Sequence, residues 1–371
     1  MTFPKPSLRV AFRTDASIEI GTGHVMRCLT LADVLCARGA ECVFLCRPHA
    51  GHLLDLIVAQ GHEAIALPPP YADVVAAEDP PHANWLGAGW EKDAQHSLQA
   101  LAHHTVGRPV DWLVVDHYAL DARWERMLRP ACQHLMVIDD LADRAHDCDL
   151  LLDQSLGRTA EDYAGLLPET ATTLLGPQYA LLRPEFARLR AESLARRAAP
   201  RLERVLVTMG GVDKDNATAL VLDALDSSVL PDNVRITVVM GGQAPWLTEA
   251  RTRARRMRLA TEVLVDVRDM ARLMAENDLA IGAGGTTTWE RCSLGLPTFT
   301  VVVAENQREV ATAMAALGAM VLILLGEGLG EALARALREA TPDKLANFSR
   351  ISKDVCDGAG GTRVLNEMAH T

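Results

Sequence analysis

An α/β fold of two Rossmann-like, doubly wound domains facing a cleft is predicted from three features of the 371-residue chain. Apolar runs of strand length alternate with amphipathic stretches of helical spacing, the pattern of successive βαβ units. The pattern restarts near residue 205, and each half opens with a strand followed by a glycine turn. The length also exceeds what one hydrophobic core ordinarily serves. The expected divisions are residues 1–186, an Arg- and Ala-rich linker over 187–204, a second domain over 205–345, and a helical tail over 346–371 able to pack back on the first.

In the first half, strands are predicted at residues 8–12, 42–46, 112–115, 135–138 and 150–152. Residues 8–12 run through a turn holding Gly21 and Gly23 into Val25, Cys28, Leu29, Ala32 and Leu35, spaced as a buried helix. Ligands of open α/β sheets sit at such strand-to-helix turns, and glycine lets backbone N–H groups come close to an anion or a sugar. His24 falls at the helix start, where the dipole disfavours an imidazolium and suits the ring to a general base. An ordinary tight turn with a hydrogen-bonding His explains the same residues less specifically.

Asp116-His117-Tyr118 and Asp139-Asp140 follow two of the predicted strands, where polar side chains face the ligand crevice. Helix capping is the alternative use of those carboxylates. Between residues 68 and 90, Pro68-Pro69-Pro70, Pro80-Pro81, Trp85 and Trp90 mark a long loop, either a lid over a pocket or a packing plug, with the lid favoured.

In the second half, strands are predicted at 205–209, 236–240, 263–265, 279–281 and 299–303, with residues from 309 onward mostly helical. The run Gly282-Ala283-Gly284-Gly285-Thr286-Thr287-Thr288 enters a helix and offers N–H and O–H donors to a diphosphate. Glu290, a turn later, can accept both hydroxyls of a ribose, and Gly210-Gly211 supplies a second close-approach turn. Neither the Gly-x-x-x-x-Gly-Lys-Ser/Thr nor the Gly-x-Gly-x-x-Gly spacing is present, which disfavours a P-loop NTPase and a dinucleotide oxidoreductase.

Composition narrows the classes further. With 49% hydrophobic and 23% charged residues the chain can bury a normal core. A net charge of −11 argues against a duplex nucleic-acid partner. No apolar run reaches membrane-span length, and the start lacks a signal-peptide core. The eight cysteines include no Cys-x-x-Cys and read as buried thiols of a cytoplasmic protein. No carboxylate pair stands beside the phosphate turn, so no metal and no cofactor are expected.

Read together, Arg13-x-Asp15, Gly21-x-Gly23-His24-x-x-Arg27-Cys28-Leu29-x-Leu31-Ala32, Asp116-His117-Tyr118, Asp139-Asp140, Tyr179-Ala180-Leu181-Leu182-Arg183, Met209-Gly210-Gly211-x-Asp213 and Glu290…Gly295…Pro297…Asn306-Gln307 resemble the UDP-sugar hydrolases of the pseudaminic acid pathway, which serves flagellin glycosylation. The resemblance runs in order from about residue 9 to about 325. It implies a GT-B-like fold, similar to the lipid-linked N-acetylglucosaminyltransferase of peptidoglycan synthesis. It also implies metal-independent hydrolysis of UDP-2,4-diacetamido-2,4,6-trideoxy-β-L-altropyranose to UDP and free sugar. His24 matches the catalytic His and Glu290 the ribose ligand. Asp15 is expected to orient His24 or the water, an Arg13–Asp15 ion pair being the alternative. Arg27 is expected at a phosphate or carboxylate. The remaining matched positions Tyr179, Arg183, Asp213, Asn306 and Gln307, together with Thr286 and Thr287 of the glycine turn, are expected around the substrate. The partners are then the UDP-sugar and water, with no nucleic acid or membrane, in a monomer or weak oligomer. A GT-B glycosyltransferase, a hydrolysing UDP-N-acetylhexosamine epimerase and a non-catalytic nucleotide-sugar sensor are the competing readings.

Overall fold

The structure, a computed structural model, describes residues 8–71, 79–105 and 108–371. The chain forms two compact units, Met1–Leu181 with Gly360–Thr371, and Leu182–Ala359.

The first unit is built on β1 (Arg9–Thr14), α1 (Gly23–Cys36), β2 (Glu41–Cys46), α2 (Leu54–Ala59), β3 (Glu63–Ala66), α3 (Trp90–His104), β4 (Val110–Asp116), α4 (Ala122–Leu128), β5 (Cys132–Ile138), β6 (Leu150–Asp153) and β7 (Thr172–Leu175). Its seven strands are ordered β3-β2-β1-β4-β5-β6-β7 and every pair is parallel. Strand alternation divides the core between the two faces. Val10, Phe12, Trp112 and Val114 join one cluster, while Ala11, Leu113 and Val115 join the other. Both faces are covered, so the central strands read as continuous apolar runs in the sequence. Strand order reverses between β1 and β4, and their carboxyl ends pair Thr14 with Asp116. A ligand crevice opens at such a reversal.

The second unit carries α5 (Pro184–Arg197), β8 (Arg204–Thr208), α6 (Ala217–Asp226), β9 (Arg235–Met240), α7 (Leu247–Ala254), β10 (Ala260–Val265), α8 (Met270–Glu276), β11 (Leu279–Ala283), α9 (Thr287–Ser293), β12 (Thr298–Val302), α10 (Arg308–Ala316), β13 (Val321–Leu324), α11 (Leu329–Arg338) and α12 (Pro342–Val355). Its parallel sheet has the order β10-β9-β8-β11-β12-β13, which repeats the reversal between β8 and β11.

Three strands escape the periodicity reading: β3, β7 and β13. Each is the edge of its sheet, four residues long and only partly buried, so its apolar signal is diluted. β13 therefore interrupts the stretch expected to be helical after residue 309.

The segment read as an exposed connecting helix or linker, 187–204, is mostly the helix α5, but it is not simply exposed, since α5 buries Phe186 and Leu189. Its arginines are staples: Arg190 donates to the carbonyls of Ser293, Lys353 and Cys356, and Arg197 to those of Met274 and Asn277. These bonds satisfy carbonyls that helix ends leave without partners. The tail also divides. α12 stays with the second unit, and α13 (Gly360–His370) returns to the first, adding Val364, Leu365 and Met368 to the core cluster that holds α1. A β-carbon at Gly360 would collide with the Ala180 carbonyl, so this close approach needs glycine.

Candidate active site

In the first unit, β1 delivers the chain into a turn where Gly21 adopts φ +79° and its N–H donates to the Ser17 carbonyl at 2.9 Å. Nothing stands within 4 Å of a β-carbon built on Gly21 or Gly23, so both border open space. His24 is the second residue of α1 and 7% exposed. Its Nδ1 lies 2.6 Å from Asp116 Oδ1 at the end of β4. Arg27, one helical turn on, reaches the same carboxylate with Nε at 2.6 Å and Nη2 at 2.7 Å, and Asp140 with Nη1 at 3.0 Å. Asp140 also accepts from the Tyr118 hydroxyl, and the Tyr118 ring packs edge-on against His24 at 4.5 Å.

Burial alone would raise Asp116, but Arg27 first and His24 second hold it well below the ordinary carboxylate range. An ionised carboxylate only accepts, so Nδ1 carries a proton, and in the neutral ring Nε2 presents its lone pair. No described residue hydrogen-bonds Nε2. The carboxylate on His24 is thus Asp116, and Asp15 is not its orienting partner. Asp15 is fully buried on Arg13 at 2.8 Å and accepts the Arg47 N–H at 2.6 Å. His117 stands 3.4 Å from the other Asp15 oxygen, is 3% exposed, and faces this network instead of open space. Asp93 of α3 completes the cluster, bridging Arg13 and Arg47 at 2.7 and 2.6 Å. Sequence reasoning missed Asp93 because it reads as an ordinary first-turn helix acid.

The two tryptophans of the proline-rich loop separate in role. Trp90 opens α3 beneath the Arg123 guanidinium at 5.0 Å and packs on the core. Trp85 lies 6.0 Å from the Tyr118 ring, with His82 between 4.4 and 5.5 Å from both. Trp85, His82 and Tyr118 therefore form one aromatic cluster that ends against His24. Residues 72–78 of that loop lie outside those described. Tyr179 packs against the same core cluster as α1.

In the second unit, Gly210 at φ +89° and Gly211 border open space after β8. Asp213 caps α6, accepting the N–H groups of Ala217 at 2.9 Å and Thr218 at 3.0 Å, and so is committed to structure. After β11, Gly285 takes φ +98° at an exposed position and Thr286 and Thr287 are half-buried. Gly284 meets Gln307, whose Oε1 accepts the Val303 N–H at 3.3 Å. The Asn306 side chain lies outside the described residues. Glu290 is 3.8 Å from Arg183, which also pairs with Glu185 at 3.0 Å and donates to the Arg268 carbonyl.

Burial lifts Glu290 to about 7, further than Arg183 and Arg291 bring it down. The unfolded chain ionises near 4.5, so the folded state holds the extra proton between 4.5 and about 7, and stability falls as pH rises through that window. Glu290→Gln is expected to melt higher than wild type at pH 8 and level with it at pH 4. The gain is bounded at about 3 kcal/mol, and denaturant titration of the ligand-free protein at both pH values measures it.

Among the described residues, no group of three or more His, Cys, Asp or Glu is placed to hold a metal ion, and no helix is long and apolar enough to cross a membrane.

Comparison with known proteins places the chain beside nucleotide-sugar enzymes in sequence and fold. Residues 204–360 match the Glycosyltransferase family 28 C-terminal domain. Over 311 residues the chain is 24% identical to the UDP-2,4-diacetamido-2,4,6-trideoxy-beta-L-altropyranose hydrolase of Campylobacter jejuni, covering 84% of this chain and 97% of that one. It is also 24% identical over 306 residues to an uncharacterized protein of Methanocaldococcus jannaschii, covering 81% of this chain but 57% of that relative's length. Among solved structures, Acinetobacter baumannii MurG is similar with a TM-score of 0.69 at 13% identity, over 99% of this chain and 100% of the other.

Proposed function

Taking as premise a chain related to the GT-B enzymes, we propose that the protein acts on nucleotide sugars and hydrolyses a UDP-linked 2,4-diacetamido-2,4,6-trideoxyhexose, a step of pseudaminic acid biosynthesis. The observation that carries this reading is the His24–Asp116 contact at 2.6 Å, which leaves Nε2 free as a proton acceptor. Nε2 takes a proton from water, whose oxygen bonds to the anomeric carbon. The bond from that carbon to the phosphate oxygen breaks, and the electron pair leaves on UDP. Attack opposite the leaving group inverts the anomeric configuration. The second unit holds the nucleotide: amides of the 284–287 turn meet the diphosphate, and Glu290 accepts from the ribose hydroxyls. Asp116 orients His24 and stabilises the imidazolium that forms.

The matched glycosyltransferase domain and the likeness to MurG support a second reading, transfer of the sugar to an acceptor hydroxyl by the same base. Incubation with the UDP-sugar in ¹⁸O-water, without acceptor, separates the two. Hydrolysis predicts UDP release with label in the sugar C1 hydroxyl and an inverted product by NMR. No release until an acceptor is added favours transfer, and label in the UDP phosphate overturns cleavage at the anomeric carbon.

A further inference from the structure

Arg291 of α9 has a role that the contacts described so far leave open. Its side chain is 1% exposed and lies behind the glycine turn. Nη2 donates to the Ala283 carbonyl at 2.8 Å and approaches Thr288 Oγ1 at 3.4 Å. Among the described residues, Nε and Nη1 have no hydrogen-bond partner and no carboxylate stands within ion-pair distance of the guanidinium. Glu290, its chain neighbour, lies 3.8 Å from Arg183. A β-carbon at Gly282 would collide with Nη1, so the first glycine of the turn serves this arginine.

Burial pulls Arg291 down to about 10, which still leaves it charged at neutral pH. Glu290 acts on Arg291 through space but forms no direct ion pair with it. A buried cation so weakly balanced is costly, and an anion that reaches it is correspondingly favoured. We infer that Arg291 is a positioning residue acting from behind the turn. It ties the Ala283 carbonyl, and its unbalanced charge is offset by the diphosphate of a bound nucleotide, so that nucleoside diphosphates are selected over less charged nucleotides. This rests on the second unit being the nucleotide site.

Calorimetric titration of UDP, UMP and uridine into the full chain tests it. R291M and R291Q remove the charge, the glutamine keeping a donor for Ala283, and R291K restores the charge. Both neutral variants are expected to bind UDP about tenfold more weakly and UMP less affected, with uridine within about twofold of wild type. R291K should keep the wild-type ratio of UDP to uridine affinity within about threefold. Without ligand, the neutral variants should melt no lower than wild type. Equal weakening of UDP and uridine would reduce Arg291 to a shaper of the turn and overturn its charge role. Wild type that binds UDP beside an indifferent R291Q removes this inference alone, whereas wild type that binds no UDP removes the nucleotide reading with it.

Discussion

His24→Ala is expected to lower UDP release from the UDP-sugar by about a thousandfold, within the range that a positioned general base contributes. UDP affinity should stay at the wild-type value, because the nucleotide contacts assigned to the second unit do not involve His24. The ring is held by one short bond to Asp116 and an edge-on contact with Tyr118, so alanine leaves a small gap beside α1 without uncovering the core. Added imidazole should restore part of the rate. Single-turnover release of UDP and calorimetric titration of UDP measure the two halves of this prediction. Wild-type turnover by the variant would remove His24 as the base.

Asp116 should be the most sensitive position in the first unit, and its two variants should fail differently. Asp116→Ala leaves His24 without its carboxylate and Arg27 with Asp140 alone, and loss of one partner of a buried ion pair costs about 3–5 kcal/mol. Asp116→Asn keeps the volume but can offer an N–H to the imidazole, favouring the tautomer whose Nε2 carries the proton. The rate is then expected to fall by up to about 10⁴-fold with UDP binding intact, as in other His–carboxylate pairs. Because Asp116 is held well below its ordinary value, the stability it supplies is present above the unfolded carboxylate range and is lost as pH falls through the lowered folded value. Acid melts of wild type and Asp116→Asn should therefore converge at low pH. Equal rates for the two proteins near neutrality would separate Asp116 from catalysis.

The parts legible from sequence share a physical cause. Central strands buried on both faces leave long apolar runs, and glycine turns at their ends are conspicuous, so both doubly wound sheets and the place of His24 at the start of α1 could be read from residues alone. Edge strands β3, β7 and β13 lack that signal. Pairings distant in sequence are also silent: nothing near Asp116 says that it takes His24 from 92 positions away while Asp15, nine residues before His24, turns to Arg13. Charge likewise hides its partners. Arg190 and Arg197 look like a solvated helix face until the carbonyls of neighbouring elements meet them, and Asp213 looks like a ligand until α6 claims it.

The return of α13 has a consequence for how this protein comes into being. The apolar surface that Val364, Leu365 and Met368 cover is formed by residues translated far earlier, and the whole second unit emerges from the ribosome in between. Until α13 is made, the side of α1 that it covers therefore lacks that cover. A fragment ending at Leu181 would keep that exposed side permanently and is expected to self-associate, while the same fragment with a peptide spanning Gly360–His370 supplied in trans should remain dispersed.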